Sequence, residues 1–159
     1  MSQSKFAIDA MLGTIAKKMR ILGFDCRYSS TIDDDALILV AKKENRVIIT
    51  KDLKLANNAK KHDVAAIEVT THTEKDQIVE IAKKMGWKRY EFYATNARCP
   101  ICNGNLQNIE KSQVVDKMPP KIAQNIEEFW ICQDCEHIYW EGTHIRNLQK
   151  LIAEINEQL

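Results

Sequence analysis

Apolar and polar positions in the first half of the chain alternate between a strand-like and a helix-like period. Short apolar runs predict strands over residues 5–8, 24–28, 47–50 and 64–69. Apolar residues spaced by three or four predict helices over 10–22, from Ser30 or Thr31 to about 44, over 53–61 and over 74–85. One more short strand is expected over 89–93, and an amphipathic helix over 145–159. This alternation predicts an α/β fold with a parallel sheet flanked by helices.

Acidic residues stand where the predicted strands end and the helices begin. They are Asp9, Asp33, Asp34, Asp35, Asp52 and Asp76. Because the carboxyl ends of parallel strands meet at one edge of a sheet, we expect these acids to gather there. A carboxylate cluster of this kind suits Mg²⁺ or Mn²⁺ and phosphodiester chemistry. Helix capping alone also explains acids at helix starts, so a purely structural role stays open. It explains Asp9 least well, because Asp9 follows an apolar strand and has no obvious capping role beyond Ala10.

Two Cys-x-x-Cys pairs mark the second half of the chain. They are Cys99 with Cys102 and Cys132 with Cys135, with 29 residues between the pairs. This pattern predicts a tetrahedral zinc site, and four thiolates leave no open coordination position, so the predicted zinc is structural. Two redox or disulfide pairs are the alternative. We expect a loop or hairpin between the pairs, with Pro119 and Pro120 breaking any regular element.

Charge is divided unevenly along the 159 residues, although the formal net charge is only +1. Residues 1–97 hold 17 Lys and Arg against 13 Asp and Glu, whereas residues 98–159 hold 6 against 9. The basic residues of the first part occur in pairs, which fits either solvated helix faces or a polyanion-binding surface. No apolar run approaches the roughly 20 residues of a membrane span, and no signal segment is recognisable, so a cytoplasmic protein without a membrane partner is expected.

Motifs spread over nearly the whole chain carry a family resemblance. They include Phe6-Ala-Ile-Asp9, Met19-Arg20-Ile-Leu22-Gly23, Thr50-Lys51-Asp52, Arg98-Cys99-Pro-Ile-Cys102-Asn103, Pro119-Pro120 and Tyr139-Trp140-Glu-Gly142-Thr-His144. In this order they resemble the PIN-like ribonuclease family named for the C-terminal domain of the Mut-seven exonuclease. Lys51 departs from the arginine usual in that family, which keeps the charge but not the bidentate fork.

The resemblance implies a PIN-like nuclease domain over residues 1–93, a zinc ribbon over 94–144 and a C-terminal helix over 145–159. It implies that Asp9, Asp34 and Asp52 bind a catalytic Mg²⁺ or Mn²⁺, with Asp33, Asp35 and Asp76 as additional candidates. Arg20 matches a motif arginine for which contact with substrate phosphate and pairing with Asp25 are the two roles. Lys17 and Lys18 depart from the family pattern, and we expect Arg20, Lys17, Lys18 and Lys51 together to hold the RNA backbone. The four cysteines hold the structural Zn²⁺.

The function expected from the sequence is a divalent-metal-dependent endoribonuclease that hydrolyses phosphodiester bonds of single-stranded RNA. A non-catalytic RNA- or ribosome-binding adaptor with the same fold is the main alternative. A receiver-type phosphoacceptor domain is disfavoured, because it has an acidic pair at its first strand and lacks a zinc ribbon. A toxin of a toxin–antitoxin pair also fits the fold.

Overall fold

The fold is known from a computed structural model, which describes residues 4–91 and 93–159. Its first sheet has four parallel strands in the order β2-β1-β3-β4. The strands are β1 (Lys5–Ile8), β2 (Asp25–Tyr28), β3 (Val47–Thr50) and β4 (Ala66–Glu68). The helices between and after them are α1 (Gly13–Ile21), α2 (Asp34–Glu44), α3 (Leu53–Lys61) and α4 (Glu74–Lys84). The predicted α/β class with a parallel sheet flanked by helices is confirmed.

The two central strands, β1 and β3, are apolar on both faces because helices cover both sides of the sheet. Phe6 and Ile8 pack into the larger core cluster, whereas Ala7, between them, packs into the smaller one. In β3, Ile49 belongs to the larger cluster and Ile48 to the smaller one. The alternation of side chains along a strand therefore places one core on each face.

The start of α2 and the expected strand over 89–93 both differ from the sequence-based expectation. Helix α2 is capped by Asp33, whose carboxylate accepts a hydrogen bond from the Ala36 N–H at 2.8 Å, and not by Ser30 or Thr31. Thr31 instead shares a hydrogen bond with the hydroxyl of Ser29 in the preceding turn. The expected strand over 89–93 is also wrong for the described residues of that range, because Tyr90 satisfies its backbone through the Asn156 side chain and not through a strand.

A second, antiparallel sheet carries the cysteines. It consists of β5 (Leu106–Ile109), β6 (Phe129–Cys132) and β7 (Ile138–Trp140). Two short helices, α5 (Lys111–Val114) and α6 (Pro120–Asn125), fill the long connection between β5 and β6. Pro119 and Pro120 were expected to break any regular element. Pro120 in fact begins α6, where its missing N–H costs no hydrogen bond.

Helix α7 (Thr143–Gln158) returns from the second sheet to the first core. Its apolar side chains Leu148, Ile152 and Ile155 belong to the same buried cluster as Ile78 and Ile81 of α4. The side chain of His144, at the end of the aromatic motif, lies outside the described part of the chain. Within the described residues, no helix combines the length and apolarity that crossing a membrane requires.

Candidate active site and metal centre

Asp9 ends β1 and is almost completely buried, with 6% of its surface exposed. Its backbone N–H donates to the Ile49 carbonyl at 3.0 Å, which extends the pairing of β1 with β3 by one residue. Carboxylate oxygen Oδ1 accepts from the Ala10 N–H at 2.7 Å, and Oδ2 accepts from the Thr50 hydroxyl at 2.7 Å. Both oxygens are therefore held in place at the carboxyl edge of the sheet.

Thr50 connects two of the predicted site acids. It is fully buried, and its hydroxyl donates to Asp9 while accepting a hydrogen bond from the Asp52 N–H at 3.0 Å. The sequence-based analysis missed this residue. The signal that could have revealed it is a single polar side chain closing an otherwise apolar buried strand, because such a side chain needs a partner.

Asp52 begins α3 as its N-cap. Its Oδ1 accepts from the N–H groups of Lys54 and Leu55 at 2.8 and 3.4 Å. These bonds satisfy helix N–H groups that have no intrahelical partner. The capping bonds use only Oδ1, and among the described residues Oδ2 has no hydrogen-bond partner, so Asp52 can cap the helix and still present an oxygen to the site.

Asp34 is the first residue of α2 and is exposed. Partial burial and then the negative charges of Asp9 and Asp52, followed by those of Asp35 and Asp33, raise the pKa of the Asp34 carboxyl. Asp9 directly follows β1, Asp52 follows β3 and Asp34 begins the helix after β2, and these three strands are parallel neighbours in the sheet. The three acids therefore lie at its carboxyl edge, which we call the acid edge.

The additional acids occupy different positions. Asp33 caps α2, and Asp35 is exposed in the first turn of that helix. Asp76 lies in the first turn of α4, where its Oδ2 accepts from the Thr73 hydroxyl at 2.7 Å while the same hydroxyl accepts from the Asp76 N–H. This reciprocal pair is a helix-capping arrangement, so Asp76 already has a local structural role.

Arg20 has partners other than the predicted RNA phosphate. The side chain is 5% exposed, and its guanidinium donates to the carbonyls of Cys26, Pro100 and Ile101 at 3.0, 2.9 and 3.3 Å. Its alternative partner, Asp25, instead accepts from Arg46 at 2.7 Å and from the Asn103 amide at 2.8 Å. Arg20 therefore joins α1 and β2 to the first cysteine pair, and we leave it out of the RNA-binding surface because its donors are turned inward.

The three predicted RNA-binding lysines remain at the surface. Lys17 is exposed on α1, and Lys51 is half-buried between Thr50 and Asp52. Lys18 is also half-buried and pairs with Glu74 at 3.6 Å. Surface pairs of this kind contribute little energy, so Lys18 can exchange Glu74 for another anion at small cost.

The four cysteines converge at a single point. The Sγ atoms of Cys99, Cys102, Cys132 and Cys135 all lie within 4.8 Å of one another, with separations of 3.6 Å for Cys99–Cys135 and 3.4 Å for Cys102–Cys132. A tetrahedral zinc with Zn–S bonds of about 2.3 Å separates its sulfurs by about 3.8 Å, whereas a disulfide separates them by only about 2.05 Å. The geometry therefore fits a zinc ion, and it is not that of two disulfides.

The two cysteine pairs have the same local backbone. The N–H of Asn103 donates to the Cys99 carbonyl at 2.8 Å, and the N–H of Glu136 donates to the Cys132 carbonyl at 3.0 Å. Both residues have positive φ, 70° and 64° respectively. Next to the first pair, a Cβ on Gly104 would lie 2.8 Å from the Cys132 sulfur, so only glycine fits against the centre.

The acid edge is less tightly gathered than the cysteine centre. Across residues 4–91 and 93–159, the four cysteines are the only group of three or more potential ligands whose ligand atoms all lie within 4.8 Å of one another. Carboxylates farther apart still suit Mg²⁺, which keeps several waters and takes only one or two carboxylates directly. The two sites thus differ in how completely the protein itself would surround an ion.

The first cysteine pair is also attached to the parallel sheet. The Asn103 side chain accepts a hydrogen bond from the Cys26 N–H at 3.0 Å, on the open side of the edge strand β2. The Arg98 N–H donates to the Arg20 carbonyl at 2.8 Å. The first bond satisfies a backbone N–H that the edge strand would otherwise leave free, and the second joins the cysteine module to the end of α1.

The molecule is thus an α/β protein with a carboxylate-lined sheet edge and a four-cysteine module that can bind zinc. The model of the family described as Mut7-C RNAse domain matches residues 4–152, and the chain belongs to that family, which confirms the resemblance found in its sequence. No curated protein and no solved structure matches the chain. Membership in this family indicates a nuclease-like function related to RNA.

Proposed function

We propose that the protein is a divalent-metal-dependent endoribonuclease that hydrolyses phosphodiester bonds of single-stranded RNA. The observation that carries the proposal is the acid edge, where the Thr50 hydroxyl bonds to both the Asp9 carboxylate and the Asp52 N–H, and where Asp34 begins the helix after the neighbouring strand β2. The charges of Asp9 and Asp52 add to partial burial in raising the pKa of Asp34. Acids that repel one another are costly unless a cation or a reaction uses them. Family membership supports RNA as the substrate.

The donor set at this edge fits a hard divalent cation, because it consists of carboxylate oxygens. Mg²⁺ or Mn²⁺ bound there would supply Lewis acidity toward a water molecule and the scissile phosphate. Asp9 would offer an oxygen whose position Thr50 fixes, and Asp52 would offer the oxygen not used in capping. Asp34, exposed and without a capping bond of its own, would orient the attacking water or complete the ligand set.

Other residues would serve binding and architecture. Lys17, Lys18 and Lys51 would contact the RNA backbone, and Asp33 and Asp35 would add negative potential beside Asp34. The four cysteines would hold a structural Zn²⁺, since their closed set leaves no position for substrate.

The test is cleavage of labelled single-stranded RNA by zinc-loaded protein, with and without Mn²⁺. Asp34→Asn is the most informative variant, because Asp34 is exposed and its replacement leaves every capping bond in place. We expect it to reduce cleavage by a factor on the order of 100 or more. Asp9→Asn should also abolish cleavage, although it changes a buried group.

Asp63→Asn is the matched control. Asp63 is exposed beyond the far end of α3, at φ 59°, a conformation that asparagine adopts readily. It should retain full activity. Undiminished cleavage by both the Asp34→Asn and the Asp9→Asn protein would refute the assignment of the active site.

The adaptor alternative has one observation in its favour. Asp9, Asp33 and Asp52 each accept a hydrogen bond from a backbone N–H, so each has a structural use without any metal. An adaptor would bind RNA with the same affinity in the presence and absence of Mn²⁺ and would show no turnover with any divalent cation. That result would replace the nuclease proposal.

A further inference from the structure

A groove runs from the acid edge along α3. It has a volume of about 450 Å³ and is lined by Asp34 at one side and by Lys54, Leu55, Asn57, Asn58 and Lys61 of α3. Apart from the buried Leu55, the residues that α3 contributes are polar or basic. We call this feature the α3 groove.

The spacing of these residues explains why they share one surface. Lys54, Asn57, Asn58 and Lys61 stand at positions i, i+3, i+4 and i+7 of the helix, and therefore on one face. At a rise of about 1.5 Å per residue, the two lysines lie about 10 Å apart along the helix axis. The face thus presents two cations with two amides between them.

The fold itself does not need these side chains. Leu55, Ala56 and Ala59 bury the opposite face of α3, and Asp52 caps its start. Lys54 and Lys61 are exposed, and among the described residues neither has a carboxylate within 4.0 Å of its ammonium group. Both are available to a negatively charged ligand that occupies the groove.

The groove also leads to one of the proposed site acids, since Asp34 forms part of its wall. A polyanion bound along α3 would have one of its phosphates beside the acid edge. A single phosphate would not use two cations about 10 Å apart, whereas a strand with repeated phosphates would. Asparagine amides can donate to phosphate oxygens and can both donate to and accept from a ribose hydroxyl.

We infer that the α3 groove binds the sugar–phosphate backbone of single-stranded RNA and guides it to the acid edge. The identity of the ligand as RNA rests on the proposed function. Lys54 and Lys61 each neutralise a phosphate, and Asn57 bonds to the sugar or phosphate between them. Recognition of this kind is independent of base sequence, because phosphates carry no sequence information.

The closing experiment measures RNA binding without catalysis. Fluorescence anisotropy of a labelled oligo(U) strand is followed against the zinc-loaded Asp34→Asn protein, without added Mg²⁺ or Mn²⁺, over a series of salt concentrations. The double change Lys54→Gln with Lys61→Gln should weaken binding roughly 10-fold or more at low salt. It should also reduce the slope of log K against log salt by about 1.4, at about 0.7 for each lost phosphate contact.

Two control variants test whether the effect belongs to the groove. Lys60→Gln removes the same charge from the neighbouring position of the same helix, outside the groove lining, and should leave affinity and slope almost unchanged. Lys54→Arg with Lys61→Arg keeps both charges and should restore binding. The double glutamine variant should lose as much affinity for oligo(A) as for oligo(U).

Several outcomes would overturn the inference. These are no binding of RNA by the parent protein, unchanged affinity and slope in the double glutamine variant, an equal effect of Lys60→Gln, or a loss confined to one base. Because turnover is not measured, failure of the nuclease proposal would be seen separately: RNA binding that depends on Lys54 and Lys61, with no cleavage under any metal, supports the groove and rejects the nuclease.

Discussion

The acid edge and the cysteine centre are both clusters of metal-binding side chains, but they are built in opposite ways. The four sulfurs lie within 4.8 Å of one another and could together hold one metal ion. At the acid edge, Asp9 is fixed by hydrogen bonds from Ala10 and Thr50, Asp52 is fixed by hydrogen bonds from α3, and Asp34 is exposed. A closed cluster suits an ion that stabilises the fold, whereas an open one leaves room for water and a substrate.

The largest effect is expected from breaking the closed cluster. Cys132 is buried among the ligands, so Cys132→Ser should release the zinc and lower the free energy of unfolding by about 3 kcal/mol or more. Zinc content by native mass spectrometry and thermal unfolding measure this. Cys26→Ala is the control: Cys26 is fully buried but lies outside the ligand set, so zinc should stay bound at one equivalent. A Cys132→Ser protein that keeps its zinc would contradict the assignment of ligands.

The next effect is expected at the bond that holds the open cluster. Thr50→Val keeps the shape of the side chain but leaves a buried Asp9 oxygen without its donor, so we expect a loss of about 2–3 kcal/mol in the free energy of unfolding. Thr50→Ser retains the hydroxyl and should retain most of the hydrogen-bond contribution. Urea denaturation distinguishes the two variants. Equal stability of valine and serine at this position would show that the hydroxyl does not hold Asp9.

A third test compares the acid edge with a carboxylate that has a full set of donors. Partial burial by itself would raise the pKa of Glu80, but hydrogen bonds from Lys84, Thr71 and Thr70 outweigh it and lower the pKa to about 2. Its stabilising contribution is therefore present above the unfolded pKa of about 4.5 and is lost as the pH falls toward about 2. Glu80→Gln should cost about 1–2 kcal/mol near neutral pH, and the cost should shrink steadily as the pH falls from about 4.5 toward about 2, measured by urea denaturation at several pH values. A cost that did not vary with pH would exclude the charge as its origin.

The smallest effect is expected at Asp34, and with the opposite sign. Because its pKa is raised, its charge opposes folding: this cost is absent below the unfolded pKa of about 3.9 and appears as the pH rises through the folded pKa. Asp34→Asn should thus raise the melting temperature near neutral pH by about 1–2 °C, since the residue is exposed and screened. The gain should disappear in acid, and it should shrink with added Mn²⁺, which stabilises the parent protein more than the variant. If the Asp34→Asn protein instead melted at a lower temperature than the parent near neutral pH, the charge of Asp34 would not oppose folding.

The arrangement of the sheet and of the cysteines could be predicted from the sequence, because each depends on a short repeating pattern. A short apolar run such as 47–50 is typical of a buried parallel strand, and two Cys-x-x-Cys pairs are typical of a zinc site. The gathering of acids at one edge followed from the strand direction alone.

The residues that connect the parts could not be predicted, because their partners are distant in sequence. Arg20 has the composition of a phosphate contact, and only the fold shows that its donors face the carbonyls of Pro100 and Ile101. In the sequence, Thr50 resembles any threonine at the end of a strand. Its hydrogen bond to Asp9, 41 residues away, is what distinguishes it. The start of α2 at Asp33 was missed for another reason: Ser30, Thr31 and Asp33 are all good caps, and local propensity does not choose among them.

The placement of α7 across the face of α4 has a consequence for how the chain is made. The main core includes Leu148, Ile152 and Ile155, so residues 4–91 alone would leave part of their apolar surface uncovered. During synthesis on the ribosome, the parallel sheet would emerge first. Its core would be completely packed only after the cysteine module and α7 had also emerged. The cysteine module would therefore leave the ribosome before α7 completes the core of the parallel sheet, so the sheet that carries the acid edge would be among the first parts made and the last to be fully packed.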